Sequence, residues 1–112
     1  MQPVSRTEPP SPLPQGRVDV ALGHERASLI LVGEVDVVLV PDLHTAIDHV
    51  VSAGLPVDVE CAELTFIDSS AVGCLSLLAQ SVPERPRVLD APPMLDRLLR
   101  ITGIDALPLM EP

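Results

Sequence analysis

Aromatic side chains are almost missing from this chain. Phe66 stands alone among 112 residues, with no Trp and no Tyr. A core must therefore be built from Leu, Val, Ile and Ala, and the flat rings that stack on nucleobases are not there to do so. Lysine is missing altogether: the 7 basic residues are all arginines, set against 16 acids for a formal net charge of -9. Such a surface repels a phosphate backbone or an anionic membrane, which argues against direct nucleic-acid or membrane binding and fits a protein partner with basic patches. No apolar run approaches the roughly 20 residues that span a bilayer. The N-terminus has neither the basic nor the apolar region of a secretion signal, so a cytoplasmic protein is expected. With only Cys61 and Cys74 there is no disulfide framework. Both are expected to be reduced, small apolar core residues, with a redox-sensitive bridge as the alternative. No Gly-rich phosphate loop and no internal repeat occur, and nothing calls for a cofactor.

What is present reads as one α/β domain preceded by a tail. Residues 1–16 hold five of the 13 prolines and little to bury, and are expected to form a disordered tail, leaving 17–112 as the domain. Val18, Val20 and Leu22 alternate as in a half-buried strand. A short turn at Gly23–Ala27 then leads to a second strand, Ser28–Val32, giving an antiparallel hairpin. Gly33-Glu34-Val35-Asp36 is expected to end that strand in a turn.

Pro41 and Asp42 open a helix whose apolar positions, Leu43, Ala46, Ile47, Val50 and Val51, recur at helical spacing, with Gly54 as its stop. Val57, Val59 and Cys61 form the inner side of a third strand, with Asp58 and Glu60 on the other. The spacing predicts a second helix over Ser70–Gln80, a short strand Arg87–Leu89, and a third helix from Pro92-Pro93 through Thr102 with Leu95, Leu98, Leu99 and Ile101 on its apolar side. Gly103 closes that helix, and Ala106–Met110 adds an edge strand. The sum is a mixed sheet of four to five strands with helices packed on it.

The chemistry concentrates in Asp68-Ser69-Ser70. Asp and Ser cap helix N-termini because their side-chain oxygens accept the unpaired amides of the first turn, so from spacing alone the triplet reads first as a capped helix. Yet it is deeper than one cap requires. Counting 100° per residue puts Ser69, Gly73, Ser76 and Gln80 on one polar face. Ser70 falls with Cys74 and Leu77, toward the packed side. Ser69 is thus the exposed hydroxyl. A phosphoryl group there would meet free amides and a favourable dipole, while adding about -1.5 to -2 charge to any surface packed on that face.

Glu34 and Asp36 form a pair of carboxylates, but no third polar group is placed to work with them, and partner contacts or bonds to a neighbouring loop fit better than catalysis. His24, His44 and His49 are isolated; His44 and His49 lack the i, i+4 spacing of a zinc helix, and no metal site is expected.

The stretch Leu64-Thr65-Phe66-Ile67-Asp68-Ser69-Ser70-Ala71-Val72-Gly73 resembles the signature of the anti-sigma factor antagonists of the STAS-domain family. Leu31-Val32-Gly33-Glu34-Val35-Asp36 is similar to that family's second strand and acidic turn, and Pro93–Leu99 with Thr102-Gly103-Ile104 to its last helix. The blocks keep the family's order over about Arg17–Leu109. The resemblance implies a non-enzymatic switch that binds an anti-sigma factor, itself a serine kinase, and so frees a sigma factor. Phosphorylation of the first serine, here Ser69, ends the association, and a phosphatase resets it. Glu34, Asp36, Asp68, Ser69, Gly73 and Ser76 are then the expected partner contacts. Ala71 stands where the family usually has glycine, and the loop Ser81–Arg87 is shorter and proline-rich. The alternative within the family is an accessory subunit of a membrane lipid or anion transporter, with the triplet only a cap. Outside it, a small hydrolase with Ser69 as nucleophile would need a base that no nearby histidine supplies.

Overall fold

The structure, a computed structural model, describes residues 15–101 and 109–110. The expected tail lies outside these residues, apart from Gln15 and Gly16, and so do Thr102, Gly103 and most of the Ala106–Met110 segment.

Strand β1 (Gly16–Leu22) pairs antiparallel with β2 (Ala27–Val35), as the short turn demands; in that turn the Gly23 amide donates to the Arg26 carbonyl at 2.9 Å. The chain then passes through a 3-10 turn (Val37–Leu39) into helix α1 (Val40–Ser52), and on to β3 (Val57–Ile67), α2 (Ser69–Ser81), β4 (Arg87–Leu89), α3 (Pro93–Ile101) and the two-residue β5 (Leu109–Met110). The strands lie in the order β1-β2-β3-β4-β5, and every pair after the first is parallel. Right-handed crossovers between successive neighbours put all the intervening helices on one face. Accordingly α1 packs on β1 and β2, α2 packs between α1 and α3, and α3 reaches β3.

The core lies between the helices and that face. Leu29, Leu31 and Val35 of β2 and Val57, Val59 and Cys61 of β3 meet Leu43, Ile47 and Val50 of α1, Leu75 and Leu78 of α2, and Leu95 and Leu99 of α3. Each fully buried side chain of this size contributes about 1.5–3 kcal/mol relative to exposure. Helix α1 follows its sequence pattern: Pro41 sits in the first turn, where a missing amide costs nothing, and Gly54 turns left-handed (φ 71°) just past the end. No helix among the described residues is long and apolar enough to cross a membrane.

Three expectations need correction. The second strand does not stop at Val32 but continues to Val35, with Gly33 in the left-handed region (φ 72°) and opposite Gly16. A side chain on Gly16 would lie 2.4 Å from the Val32 carbonyl oxygen, so glycine is needed for the strands to meet there. The third strand runs on through Leu64–Ile67. Two irregularities in its pairing with β2 each insert one residue, which changes the inward spacing from every second residue to Cys61, Leu64 and Ile67. Ile101, expected on the apolar side of α3, is 72% exposed.

The opposite face of the sheet holds one feature that alternation alone does not reveal. Asp58 is only 6% exposed although its side chain points away from the core. Arg87, directly beside it on β4, donates from Nε to Oδ1 at 2.7 Å and from Nη2 to Oδ2 at 2.9 Å. Arg26, in the turn just before β2, donates from Nε to Oδ1 at 3.0 Å. The carboxylate therefore ties β3 to β4 and to the turn between β1 and β2. The hydrogen-bonded Arg87 guanidinium holds the Asp58 carboxyl below its ordinary value of 3.8, against the upward push of burial, with Arg26 adding to the lowering.

A depressed native pKa means stability that is fully present above the unfolded value and lost as pH falls through the folded one. Asp58→Asn is expected to lower stability at pH 7 by about 2 kcal/mol, since it leaves two guanidiniums without their anion. The difference from the parent protein, read by urea unfolding, should shrink steadily as pH drops below about 4.

Candidate functional site

The ends of β2 and β3 lie side by side, Val35 paired with Ile67, and both chains leave the sheet there. In open α/β sheets this carboxyl edge of the parallel strands is where sites collect. Each chain leaves through an aspartate. Asp36 caps the 3-10 turn, its Oδ1 accepting the Val38 amide at 3.1 Å. Asp68 caps α2, its Oδ1 accepting the Ala71 amide at 3.0 Å. The second oxygen of Asp68 reaches across and accepts the Val37 amide at 3.1 Å, while the Asp68 amide donates to the Val35 carbonyl at 3.3 Å. One side chain thus fixes the start of α2 and the connection from β2 to α1 relative to each other.

Ser69 is the first residue of α2 and is exposed. The backbone carbonyl of Asp68 takes the Val72 amide and its side chain takes that of Ala71. The amides of Ser69 and Ser70 are left for solvent or an anion, as the first turn of a helix dictates. Ser70 is also exposed, contrary to its expected place toward the packed side, and Leu77 is 52% exposed. The outward stripe of α2 therefore runs between the two serines and includes Gly73, Leu77 and Gln80, with Ser76 at its half-buried margin. Gly73 has open space where a Cβ would point, so nothing among the described residues requires glycine there.

The other expected site residues divide. Glu34 is exposed near the end of β2 and its carboxylate has no hydrogen bond or ion pair among the described residues, whereas the carboxylates of Asp36 and Asp68 are already engaged as caps. Pattern reading missed Val37 and Val38, which are 61% and 53% exposed on the 3-10 turn held by Asp68. They belong to a run of four consecutive apolar residues, Val37–Val40, which carries no polar signal to mark a surface. Only the tight turn shows that two of them face out. Helices α1 and α2 carry no Arg or Lys, and none occurs anywhere between Arg26 and Arg85.

Cys61 and Cys74 are free and buried. Burial pushes the Cys61 thiol up to about 12, with the Asp90 and Glu60 charges adding to it, and burial followed by the Asp68 charge raises Cys74. Both are poor nucleophiles. Among the described residues no group of His, Cys, Asp and Glu is arranged to hold a metal ion.

The family model described as Mlab, STAS domain, matches residues 18–111. The chain belongs to the STAS domain family. Solved structures share this STAS fold. An anti-sigma factor antagonist from Mycobacterium paratuberculosis superposes with a TM-score of 0.74 at 23% identity, covering 84% of each chain. The anti-sigma factor antagonist SpoIIAA in its unphosphorylated form gives 0.68 at 19%, over 87% of this chain and 88% of that one. The phosphorylated Bacillus SpoIIAA gives 0.69 at 20%, over 85% and 90%. No curated protein matches the chain in sequence.

Asp68→Ala is expected to cost about 1–2 kcal/mol in urea unfolding, the value of a lost N-cap and its second tie. Amide hydrogen exchange should quicken at both Val37 and Ala71, on two different elements. Acceleration at Ala71 alone would show that the cross-connection to the 3-10 turn carries no energy.

Proposed function

We propose that this STAS domain is an anti-sigma factor antagonist. It binds an anti-sigma factor that is also a serine kinase, releases the sigma factor, and is switched off by phosphorylation of Ser69. The observation that carries this reading is an exposed serine at the first position of α2, set beside a capping aspartate that leaves its hydroxyl uncommitted. The fold likeness to solved antagonists supports it. The contact surface comprises Ser69 with Gly73 and Ser76 on α2, Glu34 and Asp36 on the adjoining strand end, and the exposed Val37 and Val38. A phosphoryl dianion there is welcomed by the first-turn amides, yet it places a hydrated charge beside apolar side chains that a partner must desolvate. Modification therefore ends binding without unfolding the domain, and a phosphatase restores it. The protein itself performs no chemistry and works in the cytoplasm.

A second reading has one observation in its favour: the description of the matching family names Mlab rather than a sigma-system protein. Here the domain is an accessory subunit of a membrane lipid or anion transporter and Ser69 merely neighbours a cap. Co-purification of the native protein with a transporter ATPase and no kinase would select it.

Incubation with the anti-sigma kinase and ATP should add one phosphate per chain, lost in Ser69→Ala and retained in Ser70→Ala. Because both hydroxyls are exposed, phosphate mapping to Ser70 would overturn the assignment. Ser69→Asp should weaken calorimetric binding to the kinase at least tenfold. Gly73→Ala should separate fold from interface: stability rises by up to about 1 kcal/mol from helix propensity, while kinase affinity falls.

A further inference from the structure

Two turns along α2 from Ser69, the outer surfaces of α1 and α2 enclose a groove of about 230 Å³ lined by His44, Ile47, Asp48, Leu77 and Ser81. Its chemistry is lopsided. Ile47 is nearly buried and makes an apolar floor, and Leu77 forms a wall with half its surface exposed, while the other leucines of α2, Leu75 and Leu78, are fully buried. The Ser81 hydroxyl is turned away from the groove's needs, donating back to the Leu77 carbonyl at 2.7 Å. On the α1 rim, Asp48 has no ion-pair partner among the described residues and neither helix carries an Arg or Lys; the imidazole of His44, one turn before it, is the basic group of the lining.

An exposed leucine over an isoleucine floor, beside an unneutralised carboxylate, is complementary to an aliphatic side chain flanked by a cation. The groove is also continuous, along one helix face, with the stripe that starts at Ser69.

We infer that this groove docks a basic amphipathic segment of a protein partner. An aliphatic residue of the segment lies between Ile47 and Leu77, and an Arg or Lys meets Asp48. The inference extends the proposed interface down α2 and makes Leu77 its affinity-determining anchor. It rests on the reading of this face as a protein-binding surface, but not on phosphorylation.

The test titrates the full-length ¹⁵N-labelled protein with a 16-residue amphipathic peptide of Leu and Arg, and with its Leu–Glu counterpart. Saturable shifts centred on the amides of His44, Asp48, Leu77 and Ser81, given by the Arg peptide only, are expected. Leu77→Ser, at a half-exposed site that leaves the core intact, should weaken binding about tenfold, as truncation of an interface anchor does. Asp48→Asn should weaken it severalfold, and Glu60→Gln, on the opposite face of the sheet, should leave it unchanged. The titration involves neither kinase nor phosphate, so its outcome separates failure of this inference from failure of the phosphorylation switch. Non-saturating shifts spread over every acidic surface and indifferent to Leu77, shifts centred on the open face of the sheet, or no binding at millimolar peptide would each overturn the proposal. Concentration-dependent shifts of the same four amides without peptide would assign the groove to a second copy of the chain, and would overturn it too.

Discussion

The carboxylate of Asp68 is the constraint on which the site depends. Its two oxygens serve amides on different elements, one in the first turn of α2 and one in the 3-10 turn that follows β2. The segments that leave the two paired strand ends are thereby tied to each other, and the first turn of α2 is fixed relative to the turn that carries Val37 and Val38. A cap normally terminates one helix; here the same charge-assisted bonds orient a surface. The apolar side chains of that turn are out in water because the turn is pinned by its backbone, which leaves their hydrophobic surface available to a partner.

Asp58 does for the middle of the sheet what Asp68 does for its edge. It too is one carboxylate shared between elements, and it sits within β3, the strand that pairs with β2 on one side and β4 on the other, whereas Asp68 directly follows that strand. The difference lies in the partners. Guanidiniums bind Asp58 and satisfy its charge, whereas the side-chain bonds to Asp68 among the described residues come from neutral amides. Between Arg26 and Arg85 the chain has no Arg or Lys, so the surface of α1 and α2 has an electrostatic character that α3, with Arg97 and Arg100, and the sheet's far face, with Arg17, Arg26 and Arg87, do not share.

Much of this was legible in the residues. Helix α1 could be read because its burial is one-sided, so that Leu43, Ala46, Ile47 and Val50 keep a clean helical period. Helix α2 was legible as an element but not in its facing. It lies over the sheet between α1 and α3, so apolar residues surround most of it and the weak residual period misplaced Ser70 and Leu77. The extension of β2 was hidden because Gly33-Glu34 has the composition of a turn, and only its pairing with Gly16 and β3 keeps it extended. The burial of Asp58 was beyond local pattern altogether, since its partners lie 32 and 29 residues away in the chain. Asp68 and Ser69 were found because capping is a local rule whose signal needs no distant contact.

One feature of this arrangement bears on how such domains diversify. The residue that builds the site and the residue that would carry its regulation are adjacent but energetically separate: Asp68 holds the architecture, while the exposed Ser69 side chain has no described bond to lose. On the function proposed above, a single codon change at position 69 removes or restores the acceptor hydroxyl without disturbing the cap. The responsive and permanently engaged forms are then one substitution apart, because selection on signalling and selection on structure act on different side chains.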